Sequence, residues 1–311
     1  MRVLVTGGAG FIGTNLSRRL IGEGHDVVVL DNLSSGYRSN IFGLQLDFRE
    51  ADILDREALA SACKGVDTIV HLAARGSVPR SIEDPGLTHA VNVDGTMNVL
   101  LAAREQGAHL IYSSSSSVYG ANQELPKREA MRARPQSPYA VSKLASESYV
   151  LAFQHVYGMP ALAFRFFNVY GPLQSAGHPY AAVIPAFVDA LLAGRPLQVH
   201  GDGEQSRDFT SVDTVVDIVA EAVNRRICSD DAVNLAFGTR TSLRELIALL
   251  EQVADRKADI THVPGRAGDV RASQADNARL LGLFPAAVPQ DLGVGLKATV
   301  AWFQAAGLHQ R

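Results

Sequence analysis

Hydrophobic residues in the first half of the chain follow two alternating patterns. Short runs rich in β-branched residues predict strands at Arg2–Thr6, 27–30, Thr68–His71, 110–113 and Ala161–Phe166. Apolar residues at helical spacing predict the helices between them, at 12–21, 57–62, 87–105 and 139–157. Strands that alternate with helices in this way predict an α/β fold with a doubly wound parallel sheet, covered by helices on both faces.

The pattern loosens after residue 167, where proline and glycine become more frequent. Helical spacing returns at 180–193, 212–224 and 242–254, and once more before residue 308. No linker rich in Ser, Gly or Pro separates the two halves, and no internal repeat is present in the sequence. We therefore predict a first domain over 1–167 and a smaller C-terminal substrate lobe over 168–311 that is interleaved with it.

A glycine-rich turn follows the first predicted strand directly. Its sequence, GGAGFIG over residues 7–13, is close to the Rossmann-like fingerprint that joins a strand to a helix in dinucleotide-binding domains. The missing Cβ atoms let backbone approach a pyrophosphate, and the N–H groups at the helix start face its negative charge. Taken alone, the motif also fits a tight turn that needs glycine for positive φ angles.

Asp31 ends the second predicted strand, about 20 residues beyond the glycines. A carboxylate at this place accepts hydrogen bonds from a ribose diol and repels a 2′-phosphate, which favours NAD over NADP. The alternative is that Asp31 belongs to the loop or caps it before Asn32.

A serine tract at 113–117 lies at the carboxyl end of a predicted buried strand, which is where doubly wound sheets bind ligands. The next predicted helix carries Tyr139 and Lys143 four residues apart, so both side chains lie on one helical face. A nearby Lys⁺ and a positive nicotinamide ring would both favour the phenolate and make Tyr139 a base near neutral pH. The alternatives are a flexible serine linker and a surface pair without a role.

Composition narrows the function classes. The 311 residues are 47% hydrophobic with a net charge of −3, so the chain can bury a large core and has no excess of basic charge for nucleic acid or anionic lipid. No signal-peptide pattern and no run as long as a membrane span is present in the sequence, which predicts a cytoplasmic location. Cys63 and Cys228 are predicted to be buried small hydrophobes, and the histidines show no metal-ligand spacing, so we predict no metal.

Further motifs are DNLSSG at 31–36, DI at 52–53, HLAA at 71–74, NVDGT at 92–96, SSSSSVYG at 113–120, YAVSK at 139–143, RFFNVYG at 165–171 and GDGEQSRD at 201–208. With these motifs the chain resembles the extended short-chain dehydrogenases/reductases, and within them the nucleotide-sugar epimerases, over nearly its whole length. The resemblance implies a Rossmann-like domain that holds NAD tightly and a C-terminal lobe that binds a UDP-sugar. It also implies a homodimer formed through two helices.

The resemblance further implies roles for individual residues. Tyr139 would be the catalytic base, Lys143 would position the nicotinamide ribose and lower the pKa of Tyr139, and Ser115 would hydrogen-bond the reacting hydroxyl. The other positions implied to contact NAD are Gly7, Gly10, Phe11, Ile12, Gly13, Asp31, Asn32, Ser35, Gly36, Asp52, Ile53, Leu72, Ala73, Ala74, Asn92, Ser113 and Phe166. Those implied to contact the UDP-sugar are Ser77, Ser115, Ser116, Asn168, Gln174, Val183, Val199, His200, Arg207, Phe209, Arg266, Asp269 and Ser273.

The implied reaction is a transient oxidation at C4 of the sugar, followed by return of the hydride to the other face. Related sugar 4,6-dehydratases carry an Asp-Glu pair after the catalytic hydroxyl, and related UDP-glucuronate decarboxylases carry a Glu just before the VYG motif. This chain has Ser116 and Ser117 there, and a hydroxyl is a poor proton-transfer group near neutral pH, so epimerisation is favoured. A UDP-glucuronate 4-epimerase, a net oxidoreductase and a non-catalytic NAD-binding regulator stay open as alternatives.

Ser273 bears on the choice of sugar. Strict hexose epimerases of this type carry a bulky Tyr at the corresponding position, and serine would leave room for an N-acetyl group at C2. The segment GSVPRSI at 76–82 and Gln174 also resemble epimerases that act on N-acetylated sugars. We therefore expect interconversion of UDP-GlcNAc and UDP-GalNAc, with UDP-glucose and UDP-galactose as a second pair. The alternative is that Ser273 is a loop residue and the pocket is closed elsewhere.

Overall fold

The structure is a computed structural model that describes residues 1–177, 181–264 and 271–307. Its strands are β1 (Arg2–Thr6), β2 (Asp26–Asp31), β3 (Asp47–Glu50), β4 (Thr68–His71), β5 (His109–Ser115), β6 (Ala161–Phe166), β7 (Asn168–Tyr170), β8 (Leu197–His200), β9 (Ser206–Arg207), β10 (Phe209–Ser211), β11 (Val233–Leu235), β12 (Thr241–Ser242) and β13 (Ile260–Val263). Seven of them form one sheet in the order β11-β6-β5-β4-β1-β2-β3. Every neighbouring pair in it is parallel. The predicted doubly wound α/β fold is confirmed.

The α-helices are α1 (Phe11–Gly22), α2 (Arg56–Ala62), α3 (Val78–Glu83), α4 (Pro85–His89), α5 (Gly95–Gln106), α6 (Pro138–Tyr157), α7 (Val183–Leu192), α8 (Val212–Arg225), α9 (Leu243–Ala254), α10 (Ala278–Leu283) and α11 (Leu292–Ala306). Short 3₁₀ turns lie at Arg38–Ile41 and Ser116–Tyr119. Among the described residues, no helix is long and apolar enough to cross a membrane.

Local sequence fixes where the long helix α6 begins. The side chain of Ser137 accepts a hydrogen bond from the N–H of Ala140, and Pro138 occupies the first turn, where its missing N–H costs nothing. The helix ends at Gly158, which takes a left-handed conformation with φ +63°. These two ends fix the bounds of the helix and place Tyr139 and Lys143 in its first two turns.

Two hydrophobic clusters cover the faces of the sheet. Helices α1 and α8 pack over β1, β2 and β6 on one face, with Leu16, Val215 and Val219 fully buried. Helices α2, α5 and α6 cover the other face, with Leu59, Val99 and Val150 buried there. A third cluster lies in the C-terminal part and joins α7, α9 and α11.

The chain departs from the sequence patterns at several places. In the central sheet, strands β3 and β11 were not predicted, because each is short and forms only by pairing with β2 or β6. The short strands outside this sheet, β7–β10, β12 and β13, and helices α3 and α10 were not predicted either. The single helix predicted over 87–105 contains a π-helical turn at Ala90–Asp94 between α4 and α5. Cys63 is buried, but the prediction that Cys228 is also buried is wrong, since it lies exposed in the loop after α8.

The division at residue 167 stays a prediction. Strand β11 and helix α8 come from the predicted second lobe, yet both pack on the central sheet beside elements of the first. Asn234 on β11 illustrates this, because its side chain accepts a hydrogen bond from Tyr119 at 2.6 Å.

Candidate active site

The carboxyl ends of the parallel strands open into a cavity of about 720 Å³. It begins at the loop after β1, passes the ends of β2 and β4, and reaches the serine tract at the end of β5. A volume of this order suits a cofactor together with a small substrate. The cavity therefore lies where doubly wound folds bind ligands.

One end of the cavity is a cradle of backbone. Gly7 has φ +70°, and a Cβ on it would lie 2.7 Å from the backbone N of Ala73. A Cβ on Gly13 would lie 2.3 Å from the carbonyl oxygen of Gly7. Helix α1 begins beside these glycines with no side chain capping its first N–H groups, so these donors face the cavity. This arrangement suits a pyrophosphate.

Asp31 holds the same turn from the end of β2. Its carboxylate accepts hydrogen bonds from the N–H of Ala9 at 3.0 Å and of Leu33 at 2.8 Å. Burial raises the pKa of Asp31, and these two bonds oppose that rise. Further along, Asn32 donates to Asp52 at 2.7 Å. The carboxylate oxygens keep lone pairs that can accept from ribose hydroxyls.

The middle of the cavity rests on a buried hydrogen-bond chain through His71. The N–H of Ala73 donates to Thr6 Oγ1 at 3.3 Å, and Thr6 Oγ1 lies 2.7 Å from His71 Nδ1. On its other side, His71 Nε2 lies 3.0 Å from Thr96 Oγ1, which donates to the carbonyl oxygen of Asn92. Burial, helped by the charge of Lys143, lowers the pKa of His71 to about 3, so the ring is neutral. Its hydrogen bonds to Thr6 and Thr96 hold the cavity wall at Ala73 in place.

Asn92 lies in the π-helical turn and is almost completely buried. Its Oδ1 accepts from the N–H of Arg75 at 2.7 Å, and its Nδ2 donates to Ser142 Oγ at 2.9 Å. Asn92 does not itself line the cavity; it fixes the backbone of Arg75, which does. A π-helical turn turns a side chain out of the regular helical register, which is how Asn92 reaches the strand end.

The chemistry-bearing trio lies at the other end of the cavity. Ser115 ends β5, while Tyr139 and Lys143 lie on the first turns of α6, and all three line the cavity. Lys143 Nζ donates to the carbonyl oxygen of Ser113 at 2.7 Å. Burial raises the pKa of Tyr139, and a hydrogen bond from Ser115 opposes the rise. The predicted lowering by Lys143 is therefore not what dominates in the protein alone, because sequence spacing does not include the cost of burying a phenolate.

Burial also acts on Lys143, which is only 4% exposed, and lowers the pKa of its ammonium group to about 7. In the unfolded chain a lysine keeps its ordinary pKa of about 10.4. Below about pH 7 both states carry the charge, so the whole burial cost opposes folding. As the pH rises towards the unfolded value, the folded protein loses the proton first and this cost disappears.

We therefore expect Lys143→Met to be more stable than the wild type at pH 6.5, by about 1–3 kcal/mol, while it loses activity. The gain in stability is smaller than the free energy that corresponds to the full pKa difference, because the variant loses the hydrogen bond to the Ser113 carbonyl. Urea unfolding of NAD-free protein at pH 6.5 and pH 9.5 measures it, and the gain should shrink at the higher pH. A variant less stable than the wild type at both values would contradict the expectation.

A buried ion pair supports the trio from behind. Arg165 and Glu147 are 8% and 4% exposed, and Arg165 donates to both carboxylate oxygens of Glu147, at 2.6 and 3.0 Å. Ser114, next to Ser115, also donates to Glu147 at 2.6 Å. Glu147 lies one turn beyond Lys143 on α6. The pair thus connects α6 with the ends of β5 and β6.

Most of the predicted site residues come together in this cavity. Those implied to bind NAD all line it, except Gly36, which packs against the backbone of Ala9, and Asn92. Of the residues implied to bind the sugar, Ser77, Ser115, Asn168 and Gln174 line it. The others lie outside its described wall or outside the described residues.

Val199 and Phe209 are buried in the C-terminal hydrophobic cluster. Val183 is the first residue of α7, directly after Ala182, which lines the cavity. Positions beyond the described wall are Ser116, at the start of the 3₁₀ turn, His200 on β8, Arg207 on β9, and Ser273, whose N–H donates to Ser206. Arg266 and Asp269 lie outside the described residues.

Sequence reasoning missed two basic residues of the wall, Arg75 and Arg80. The Nε of Arg75 is buried and has no hydrogen-bond partner among the described residues. Because Arg75 comes four residues after the end of β4, the same strand-end rule that marked the serine tract would have identified it. In the described ranges, no group of three or more His, Cys, Asp or Glu residues is arranged to hold a metal ion.

Fold and site together define a dinucleotide-binding α/β enzyme of the Rossmann-like class. The chain belongs to the NAD dependent epimerase/dehydratase family, whose model matches residues 3–236. NAD is therefore the cofactor of this protein, and the glycine cradle, the uncapped start of α1 and Asp31 are the groups that fit it.

Several known proteins resemble the chain over its length. A UDP-glucose 4-epimerase of Mycolicibacterium smegmatis is 38% identical, over 98% of this chain and 99% of that protein. A probable UDP-glucuronate 4-epimerase of Rhizobium meliloti is 35% identical, over 87% of each chain. The solved UDP-N-acetylglucosamine 4-epimerase of Methanobrevibacter ruminantium M1, in complex with UDP-N-acetylmuramic acid, superposes with a TM-score of 0.93 at 34% identity and covers 98% of both chains.

Proposed function

We propose that this protein is a UDP-sugar C4 epimerase that interconverts UDP-GlcNAc and UDP-GalNAc, with UDP-glucose and UDP-galactose as a second pair. The three similar proteins named above are, by their names, 4-epimerases of three different UDP-sugars. The observation that carries the proposal is the set of described side chains that line the cavity around Tyr139: one phenol, one ammonium group and hydroxyls, with no carboxylate among them.

The distribution of carboxylates supports epimerisation over elimination. Among the described residues lining the cavity, only Asp31 and Asp52 are acidic. Asp31 ends β2, which is three strands from β5 in the sheet, so it lies roughly 14 Å from the serine tract at about 4.8 Å per strand. Asp52 follows β3, one strand further away. Dehydration and decarboxylation of a sugar need an additional acid or base, whereas epimerisation needs only one base beside the hydride acceptor.

Each member of the trio has a definable task in this reaction. Tyr139 takes the proton of the sugar O4 hydroxyl and later returns it. Ser115 donates a hydrogen bond to the Tyr139 oxygen, which exchanges this proton. Lys143, fixed by the Ser113 carbonyl, places positive charge beside the phenolate when protonated. Bound NAD supplies the reversible hydride acceptor for C4.

The proposed function is tested by incubating the purified protein with UDP-GlcNAc, UDP-glucose and UDP-glucuronate separately and following the C4 configuration by NMR. We expect epimerisation of UDP-GlcNAc without added NAD and without accumulation of NADH. Stoichiometric reduction of NAD by a UDP-sugar would instead show a net oxidoreductase. Turnover of UDP-glucuronate alone would show that the protein is a UDP-glucuronate 4-epimerase.

Ser273 stays the proposed determinant of the C2 substituent. It is half-buried, and its N–H donates to the Ser206 carbonyl at 3.1 Å, so it lies beside β9, which carries Arg207, a residue also proposed to contact the UDP-sugar. Gln174, proposed to contact the same sugar, lines the cavity with a buried Oε1 that has no hydrogen-bond partner among the described residues. An acetamide could donate its N–H to that oxygen.

Ser273→Tyr should lower kcat/KM for UDP-GlcNAc by roughly 5- to 150-fold, because an aromatic ring would occupy the space of the acetamide. UDP-glucose has only a hydroxyl at C2, so its turnover should largely survive. The ratio of the two kcat/KM values is the measurement, and Ser273→Ala is the control that keeps the space open. An unchanged ratio in the tyrosine variant would remove the support for N-acetylated substrates.

A homodimer stays a proposal as well. Helices α5 and α6 expose apolar side chains, with Leu101 40%, Val141 53% and Tyr149 43% accessible. Two such helices from each subunit could pack together, and sedimentation velocity at micromolar concentration would detect or exclude the dimer. The cytoplasmic location likewise stays a prediction from the sequence.

A further inference from the structure

The hydroxyl of Ser117 lies directly behind Ser115. After β5 the chain turns into the 3₁₀ turn Ser116–Tyr119, and the side chain of Ser115 caps this turn. Ser115 Oγ accepts one hydrogen bond from the N–H of Ser117 at 3.2 Å and a second from the Oγ of Ser117 at 2.9 Å. Two donors of one residue thus point at the hydroxyl that faces the cavity.

These two bonds fix what Ser115 can do. A serine hydroxyl has two acceptor lone pairs and one proton to donate. Both lone pairs of Ser115 are used by Ser117, so only its proton is left for a further hydrogen bond. The Tyr139 side chain lies within hydrogen-bond reach of Ser115, so this proton can be donated to the Tyr139 oxygen.

We propose that Ser117 is a positioning residue that makes Ser115 an obligatory hydrogen-bond donor to the Tyr139 oxygen. The proposal rests on the proposed C4 epimerase function, because it assigns a partner to the proton exchange at Tyr139. A donated bond stabilises the phenolate, and so the form of Tyr139 that can take a proton. Without the Ser117 hydroxyl, one lone pair of Ser115 would be free to accept the proton of Tyr139 and keep it a neutral phenol.

The position of Ser117 separates this role from that of a substrate contact. Ser113, Ser114 and Ser115 line the cavity, whereas Ser117 is not among the lining residues and contacts Ser115 instead. The capping bond from the Ser117 N–H would survive removal of its side chain. Deleting the hydroxyl therefore changes the second bond to Ser115 and leaves the turn its backbone cap.

The test compares Ser117→Ala with Ser117→Thr, which keeps the hydroxyl, and with Ser61→Ala, which deletes an exposed serine hydroxyl on α2. The pH dependence of kcat is measured for UDP-GlcNAc and UDP-glucose on the NAD-containing enzyme. We expect Ser117→Ala to lower kcat at pH 7 by about 2- to 10-fold, the equivalent of one hydrogen bond, with KM nearly unchanged. The acid limb of its profile should move to higher pH. Ser117→Thr and Ser61→Ala should keep the wild-type profile.

Two results would overturn the proposal while leaving the epimerase function intact. One is a Ser117→Ala enzyme with wild-type kcat and an unmoved acid limb. The other is an equal loss at every pH that threonine does not restore, which would show that Ser117 only shapes the turn. Bound NAD and the thermal midpoint, measured on each variant, identify such a folding effect. If the wild-type protein epimerises none of the UDP-sugars, the proposed function itself fails and this proposal fails with it.

Discussion

Replacing Tyr139 by phenylalanine should lower kcat by about 10²–10⁴-fold while NAD stays bound, since only the proton-transfer group is removed. Phenylalanine keeps the aromatic ring, and the glycine cradle that fits NAD lies at the opposite end of the cavity. The loss should therefore appear in kcat and leave the absorbance of bound cofactor unchanged. Rates of C4 epimerisation and the NAD content of the purified variant are the two measurements.

Tyr149→Phe is the matched control for this variant. It removes the same hydroxyl from a tyrosine on the same helix, but Tyr149 is 43% exposed and lies outside the cavity. It should retain wild-type activity. A Tyr139→Phe enzyme within a few-fold of the wild type would show that another group exchanges the proton, and the assignment of the base would be wrong.

Glu147→Gln should lower the free energy of unfolding by about 3–5 kcal/mol, because it leaves the Arg165 guanidinium buried without a counter-charge. Burial lowers the pKa of Arg165, and the hydrogen bonds and charge of Glu147 raise it. Without Glu147 the arginine still keeps its proton, because the ordinary pKa of a guanidinium lies far above neutral pH, so the cost of the unpaired charge stays. Urea unfolding at pH 7 measures the change. Activity should fall in parallel, since Ser114 and α6 lose a shared partner.

Glu124→Gln provides the comparison, because Glu124 pairs with Arg128 at the surface, where the side chains are 57% and 58% exposed. It should cost at most about 1 kcal/mol. Replacing Glu147 and Arg165 together by methionine should recover part of the loss, since no unpaired charge then stays buried. A Glu147→Gln protein within 1 kcal/mol of the wild type would mean that water or a moved side chain reaches the guanidinium.

Several elements of the fold follow from the local sequence alone. Strand β4 and strand β6 have the predicted bounds, and α6 differs from its prediction by one residue at its start. Each depends on periodicity, capping and turn residues within one segment, which any chain of this sequence carries wherever the segment lies. The four-residue spacing of Tyr139 and Lys143 is local in the same sense. This spacing places both side chains on one helical face whatever the tertiary contacts are.

The tertiary structure decided which of these local features meet and what their surroundings do to them. Ser115 and Tyr139 come from different elements. They share a cavity only because β5 ends, and α6 begins, at the same edge of the sheet. Spacing and composition likewise did not indicate the Arg165–Glu147 ion pair, the hydrogen bond from the Arg75 N–H to Asn92, or the low pKa of Lys143.

Sequence by itself determined the glycine cradle, the alternation of strands and helices in the first half, the shared helical face of Tyr139 and Lys143, and the family resemblance. Only the tertiary structure determined the pairing of β11, the exposure of Cys228 and the burial that raises the pKa of Tyr139 against the bond from Ser115. The physical reason is that desolvation and charge pairing depend on which segments exclude water from each other. That is a property of the packed chain, and it is absent from any one of its segments.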